Sequence, residues 1–474
     1  MPNTGIKSMK AYIVTGLGYG DEGKGTVTHW LASKHRAHTV IRTGGAQALH
    51  RVVTSDGKEH VFSQFGSGTL RGASTHLSKH MVIDPHALIN EGEELLYQGG
   101  VRSIFETMTI HEDALVITPF QALAGRVREL MRGKHRLGSV GMGIGETVSD
   151  SELLGDCAIR AKDLSSSALR KKLKAIQRIK VAEFEELADR TSIIHAEVET
   201  LVRSELAKLA NPDTVEWAIE RFTDLTKKVA VVNTEYVQKC ILGLPGTVVF
   251  EGSQGVLLDR LFGFHPFTTK VRTLPAMANA ILDECGYQGE RLSLGVLRAY
   301  HTRHGGGPFV CESSDLTEQL PDALNHKHPW QGSFRVGCFD SVAARYAINA
   351  CGGTIDGVVV TCLDRIQALK SWSVCNKYSV LDKPVSSELF RQDKQHITEI
   401  KVKTCRTVTQ QLARQTKIGQ TLSCCRPQST TFDIAALNRR EWTDLCISEV
   451  EKAVTVPVVA VSFGETDKDK IVVG

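Results

Sequence analysis

Short apolar runs punctuate the chain at residues 10–15, 39–41, 81–83, 115–117, 247–250, 358–361 and 458–461. They lack the alternation of a half-buried strand and read as strands covered on both faces. The first run ends in glycines and leads into a helical pattern over residues 25–33, so strand, glycine loop and helix open the chain. Further helical patterns separate the later runs. The predicted fold is therefore α/β, with a large, mainly parallel central sheet and crossover helices. Between about residues 162 and 239 the pattern changes to charged, glycine-poor and helix-periodic, with segments at 166–179, 181–189 and 193–209. A single domain over residues 1–474 with a helical insertion at about 162–239 is the expectation.

Composition narrows the class. The 474 residues are 42% hydrophobic and 23% charged, as in a soluble globular protein, and no apolar run could span a bilayer. The start, MPNTGIKSMK, lacks the apolar segment of a signal peptide, so a cytoplasmic location is expected. With 57 Lys+Arg against 53 Asp+Glu the formal charge is +4, too small to make nucleic acid the main partner. The basic run from Arg170 to Lys174 reads as a solvated helix face, since acidic segments follow it and no aromatics interleave. Twelve cysteines are scattered without CxxC pairs or zinc spacing, and read as thiols in a reducing compartment.

Five polar clusters carry candidate chemistry. The first is Gly18-Tyr-Gly-Asp-Glu-Gly-Lys-Gly25, close to the phosphate-binding pattern G-x-x-x-x-G-K-[ST], but with Gly25 in the Ser/Thr position. Its glycines, Gly20, Gly23 and Gly25 among them, let backbone N–H groups converge on an anion at a helix N-terminus, and Lys24 adds a point charge. Asp21 and Glu22 would repel a phosphate unless Asp21 has another task, such as holding a metal or taking a proton. The second cluster runs from Arg42 to His50, and His50 can donate a proton or a hydrogen bond. The third, from Gly138 to Gly145, is a glycine run able to approach a phosphate. The fourth is Phe250-Glu-Gly-Ser-Gln-Gly255, followed by His265-Pro-Phe-Thr-Thr269. The fifth runs from Ala299 to Phe309 and places Arg303 beside a glycine turn, flanked by His301 and His304. Together they predict one extended site for two or three anionic ligands.

These clusters, in this order, resemble the adenylosuccinate synthetase family. That family's WGDEGKGK is similar to residues 19–25, its GGxNAGHT to 44–51, its GIGP to 143–146 and its FEGAQGxxLD to 250–259. Its YPYVTSSN resembles residues 265–272, its KAYxTRVGxGPFPTE 298–312, its TKLD 361–364 and its STGPDR the segment from Ser462 to Gly464. The resemblance implies a Mg²⁺- and GTP-dependent ligase that joins aspartate to inosine monophosphate, working as a homodimer, with a purine nucleotide, GTP (or ATP) and an amino acid as its partners. It implies Asp21 as general base and Mg²⁺ ligand, the Leu49 carbonyl as a second Mg²⁺ ligand, His50 as acid and Lys24 as catalytic cation. By the same resemblance Gly20, Glu22, Gly23, Gly25, Gln47, Gly143, Gln254, Thr269, Arg303 and Arg335 would hold nucleotide or phosphate. Asp364, with Ser462 and Gly464, would read guanine.

The chain also departs from that family. Leu49 and Arg51 replace a glycine and a threonine, Gln47 an asparagine, and Val140 a threonine on the substrate phosphate. No arginine follows residues 143–146 where a partner subunit usually lends one. Where the family grips aspartate with TTGRRRR or TTGRPRR, this chain has His326-Lys-His-Pro-Trp-Gln-Gly-Ser-Phe-Arg335, leaving Arg335 alone to align. Neither tryptophan nor histidine replaces a bidentate arginine fork, although Trp330 could stack on a ring. Three readings stand: use of IMP, aspartate and GTP; a specialised relative taking another purine nucleotide (dGMP, as in phage members), amine or nucleoside triphosphate; or a silent nucleotide-binding relative. Retention of Asp21, Lys24, His50 and Gln254 argues against the last.

Overall fold

All seven apolar runs form strands, and their covered faces explain their composition. In a computed structural model, which describes residues 9–97, 100–188, 196–322, 325, 330–380 and 385–473, the strand Met9–Gly16 lies in the middle of the main sheet. Ala11 and Ile13 enter one apolar cluster while Tyr12 and Val14 enter another on the opposite face. Both faces are buried, so the run is continuously apolar.

Among the described residues eleven strands make up this sheet. From one edge the order is Lys470–Val472, Val458–Ser462, Gly357–Thr361, Glu290–Arg298, Met9–Gly16, Gly246–Glu251, Thr39–Gly45, Ser74–Ile83, Met108–His111 and Ala230–Val232; Leu115–Val116 also pairs with Ser74–Ile83. Neighbours are parallel throughout, except that the edge strand Lys470–Val472 is antiparallel. Six of these strands deliver loops with polar and glycine residues at their C-terminal ends, the edge where open α/β sheets gather ligands.

Four strands of this sheet escaped the sequence reading, the short Met108–His111 and Lys470–Val472 among them. Glu290–Arg298 is broken in pattern by Ser293 and Gly295, and a side chain at Gly295 would come within 2.4 Å of Leu17. Ala230–Val232 lies inside the segment read as purely helical, where it pairs with Met108–His111. The rest of that segment holds the helices Leu169–Ala188, Ala196–Ala210 and Asp213–Lys228. Residues 189 and 193–195 of the expected helices lie outside the described residues. Leu173, Ile176, Val215, Phe222 and Leu225 share one cluster with Phe120 and Val127 of the helix Pro119–Met131, so the insertion is an amphipathic layer on the sheet. Its basic run is spread over ion pairs: Lys172 meets Asp163 at 2.9 Å, Arg170 meets Glu216, and Leu173 turns inward.

A second, smaller sheet was also unforeseen. Ser371–Val380 pairs antiparallel with Cys425–Asp433 and with His396–Ile400, and parallel with the short strand Phe339–Asp340. The exposed positions of Cys425–Asp433 dilute its apolar signal. Trp372 ties this sheet to the main body: its ring meets Trp442 edge-on at 5.1 Å, and its indole N–H donates to Ala299 O at 2.6 Å. Trp442 in turn donates to Leu363 O at 3.2 Å. Truncating it with Trp442→Ala should lower unfolding free energy by about 3–5 kcal/mol, the range for removing a large buried aromatic. Urea unfolding followed by tryptophan fluorescence checks this.

Candidate active site

The first glycine loop is held from within by Glu22. Its carboxylate is buried and accepts from Gly18 N at 2.9 Å and Gly20 N at 2.8 Å, while Lys24 Nζ donates to it at 2.6 Å. Expected on a phosphate, Glu22 instead braces the loop and does not line the cavity, because two backbone N–H groups and an ammonium take up its charge. The loop is also pressed against its neighbours. A Cβ at Gly255 would lie 2.2 Å from Gly18 O, and one at Gly25 would lie 2.7 Å from His50 Cβ. Serine or threonine is thus excluded at residue 25 by the close approach of His50. Lys24 begins the helix Lys24–His35, which Gly23 enters at φ 93°.

Asp21 is held in the left-handed region at φ 61°, with its carbonyl accepting from Arg298 Nε. Burial pushes its carboxyl above the ordinary aspartate range, and Arg298, His304 and Lys24 offset this only in part. A carboxyl so placed is suited to taking a proton.

His50 belongs to a buried polar cluster that sequence reasoning did not single out. Its Nδ1 lies 2.6 Å from Glu251 Oε1, and Arg42 reaches both the ring nitrogen at 3.0 Å and Glu251 Oε2 at 3.2 Å. Ser67 donates to the same carboxylate from its N–H at 2.9 Å and from its hydroxyl. Burial favours neutral Glu251, but Arg42 and His50 outweigh it and hold the carboxyl at about 2. Burial lowers His50 to about 4, with Glu251 opposing. The ionised carboxylate fixes a proton on Nδ1 and orients the ring, leaving Nε2 for the cavity. The available signal was local: Arg42 and Glu251 each sit at the end of an apolar run beside glycines.

One cavity of about 1370 Å³ collects most of the predicted residues. Gly20, Asp21, Gly23, Lys24 and Gly25 line it from the first loop, Gln47, Leu49 and His50 from the second, Gly143 from the third, and Gln254 and Thr269 from the fourth. Asp364, Ser462 and Gly464 line its far end, where Lys470 Nζ donates to Thr466 O at 2.7 Å and Gly464 O at 3.3 Å. Gln47 Oε1 and Gln254 Nε2 are buried without a hydrogen-bond partner in this cavity wall. Buried polar atoms of this kind call for a ligand or solvent group. Leu49 is exposed and outside the left-handed region, so its carbonyl needs no glycine. That carbonyl and the Asp21 carboxylate are hard oxygen donors on one cavity, the type that could hold Mg²⁺.

The two predicted arginines differ in placement. Arg335 does not line the cavity; it pairs with Glu312 at 2.6 Å and donates to Gly305 O at 2.6 Å and Gly307 O at 3.2 Å. Arg303 touches the cavity but is almost wholly buried, donating to Gly306 O, Pro308 O and Phe267 O and lying 4.3 Å over the Tyr19 ring. Burial lowers it to about 10. Both stitch the glycine turn at 305–307, whose bare carbonyls need donors. His304 lines the cavity and His301 does not, while Trp330 packs beside the insertion's apolar cluster. Residues 326–329 of the altered loop lie outside the described residues. A wall not foreseen from sequence is Lys180, from the insertion, which meets Asp150 at 2.7 Å and Glu146 at 3.0 Å beside Arg128.

A glycine cradle with a lysine and a carboxylate-oriented histidine meet in one cavity at the C-terminal edge of a parallel sheet, an arrangement suited to nucleotide-dependent phosphoryl transfer. The family profile of adenylosuccinate synthetase matches residues 13–471, and the chain belongs to that family. It is a GTP-dependent C–N ligase of that type. It is 30% identical over 381 residues to the adenylosuccinate synthetase of Neisseria meningitidis, covering 79% of this chain and 81% of that one. Its fold is similar to fully ligated adenylosuccinate synthetase from Plasmodium falciparum, with a TM-score of 0.72 at 20% identity over 98% of this chain and 99% of the other. It is also similar to the cyanophage S-2L succinoaminodeoxyadenylate synthetase bound to dGMP and dATP, with a TM-score of 0.55 at 17% identity over 98% and 95% of the two chains.

The buried histidines set a pH dependence. His50 is lowered from 6.5 to about 4 and His76 to about 3, so folding favours their neutral rings. Their contribution is complete above pH 6.5 and is lost as pH falls toward 4 and below. Melting temperature should therefore drop across that interval, and His50→Gln should show a shallower drop than the parent in the same series of buffers.

Proposed function

We propose that the ligase transfers the γ-phosphoryl group of GTP to the 6-oxygen of a purine nucleotide and then joins an amino acid, with aspartate the first candidate, to C6. The observation that carries this reading is the common cavity of Asp21 and the Glu251-oriented His50, lined by the unpartnered Gln47 Oε1 and Gln254 Nε2. Asp21 takes the purine N1 proton, so that negative charge builds on the 6-oxygen. His50 Nε2 faces the transferred group; its low value rises when a polyphosphate enters beside it, and the ring then donates to the phosphoryl oxygens. The oxygen–γ-phosphorus bond forms as the bond from γ-phosphorus to the bridging oxygen of GTP breaks. The amine nitrogen then bonds C6, the C6–oxygen bond breaks, inorganic phosphate leaves, and the amine loses its proton. Lys24 and the N–H groups at Gly23 and Gly25 carry phosphate charge. Asp21 and the Leu49 carbonyl would hold Mg²⁺, which would neutralise polyphosphate charge when bound. Asp364 accepts from the guanine N–H donors, with Ser462 and Gly464 beside it.

A second reading, altered specificity, is favoured by the outward pairing of Arg335 with Glu312 and by the acidic wall of Glu146 and Asp150 around Lys180. The amine-binding side then suits an amine other than aspartate, and the nucleotide side can take dGMP or use ATP. A homodimer belongs to the same proposal, with a sizing experiment at enzyme concentration as its check.

Phosphate release should be measured with IMP, GMP and dGMP crossed with GTP or ATP and a panel of amino acids. Turnover with one such set is expected, and full turnover with IMP, aspartate and GTP would remove the second reading. Asp21→Ala should lower the rate by roughly two to four orders of magnitude, the range for losing a positioned base. Nucleotide binding, followed by calorimetry, should persist. Undiminished turnover in that variant would rule out Asp21 as the base.

A further inference from the structure

Away from the cavity, three cysteines and one aspartate converge in the core beneath the glycine turn. Sγ of Cys311, Sγ of Cys375 and a carboxylate oxygen of Asp340 all lie within 4.8 Å of one another, and all three residues are buried. Cys311 donates to Asp340 Oδ2 at 3.1 Å. Cys338 and Cys375 both stand beside this thiol. The four residues come from separate places: Cys311 follows Phe309, Cys338 and Asp340 lie just beyond the strand Phe334–Gly337, and Cys375 lies in Ser371–Val380. Their convergence is a product of the fold, which is why their spacing in the sequence shows no metal pattern.

We propose that this cluster is a structural site for a thiophilic divalent cation, Zn²⁺ first, held by Cys311, Cys375 and Asp340 with Cys338 as the fourth donor. A tetrahedral centre with Zn–S bonds of about 2.3 Å places its sulfurs about 3.8 Å apart, so Cys311, Cys375 and Asp340, already within 4.8 Å of one another, close with small side-chain rotations. Soft thiolates with one carboxylate suit Zn²⁺ and not Mg²⁺, which keeps this site apart from the oxygen donors at Asp21. Binding replaces each ligating S–H bond by an S–metal bond and releases that proton to solvent. The carboxylate is already oriented: Asp340 accepts from Tyr378 Oη at 2.7 and 2.8 Å and from Ala343 N at 3.0 Å. These donors also offset the negative charge that thiolates and carboxylate leave around one divalent ion. The core position means the ion enters during folding.

The other account of the cluster is that the thiols simply fill core space while Asp340 caps the helix Ser341–Ala350. The two accounts predict different metal content. Untagged full-length protein, purified without chelator, should carry about one equivalent of zinc per chain by elemental analysis. After unfolding with chelator, refolding with Co²⁺ should give thiolate-to-cobalt charge-transfer absorption that saturates near one equivalent. Cys375→Ser and Cys311→Ser should each lose most of that absorption, and Cys338→Ser should shift it. Asp21→Ala should keep it, which separates this site from the proposed Mg²⁺ site and from the outcome of the activity screen. Absence of bound zinc together with no cobalt charge-transfer band in the refolded parent protein would overturn the proposal. So would unchanged bands in the Cys311 and Cys375 variants, or a disulfide between any two of these cysteines in the native protein.

Discussion

The site depends on one buried carboxylate. Glu251 ends a central strand and holds three segments that are distant in sequence: Arg42 on the adjacent strand, His50 beyond the next turn, and the loop at Ser67. An unpaired carboxylate in that position would cost several kcal/mol, so the cluster is stable only when all its donors are in place. The same packing that satisfies the charge also sets the histidine ring and brings it against Gly25. The position of the first phosphate loop therefore follows from a charge-pairing constraint in the core as well as from its own glycines.

A similar resolution applies to the loop's carboxylates. A phosphate cradle containing Asp and Glu looks self-defeating if both face the ligand. Glu22 faces inward and supplies the acceptor that the N–H groups of Gly18 and Gly20 and the Lys24 ammonium need while no phosphate is present. It thus keeps a pre-shaped, positively biased loop from collapsing onto other acceptors. Asp21, forced outward by its left-handed backbone, keeps its place in the cavity. Adjacent acidic residues take opposite roles because the backbone reverses between them.

This contrast shows what could be read from the sequence. The two-sided burial of the central strands leaves an apolar run, and loops at their C-terminal ends leave glycines and charges, so the sheet and most cavity-lining positions were legible. Glu290–Arg298 was not, since Gly295 exists to admit Leu17 and a close tertiary approach leaves no periodicity. The second sheet was hidden by its exposed face. Side-chain direction was the main failure at the site. Arg335 sits beside glycines as ligand-binding arginines do, yet it donates to their bare carbonyls and stays out of the cavity, while Arg303 reaches the cavity wall but spends part of its guanidinium on the same turn. Residue type and spacing identify a charged group near a turn; whether it faces a ligand depends on which backbone acceptors the turn leaves bare.

The two halves of the cavity are consequently built on different principles. On the phosphoryl side, Lys24, His50 and Asp21 are each fixed by neighbours in the core, and a change in any neighbour strands a buried charge. On the opposite side, Lys180, Arg128, Glu146 and Asp150 form ion pairs contributed partly by the helical insertion, with charges that balance among themselves. Such a wall can exchange residues without leaving a buried charge uncompensated, provided its pairs change together. Under the proposed function, with the attacking amine received at this wall, its selectivity is free to drift while phosphoryl transfer is held, because only the latter is tied to the charge balance of the central sheet.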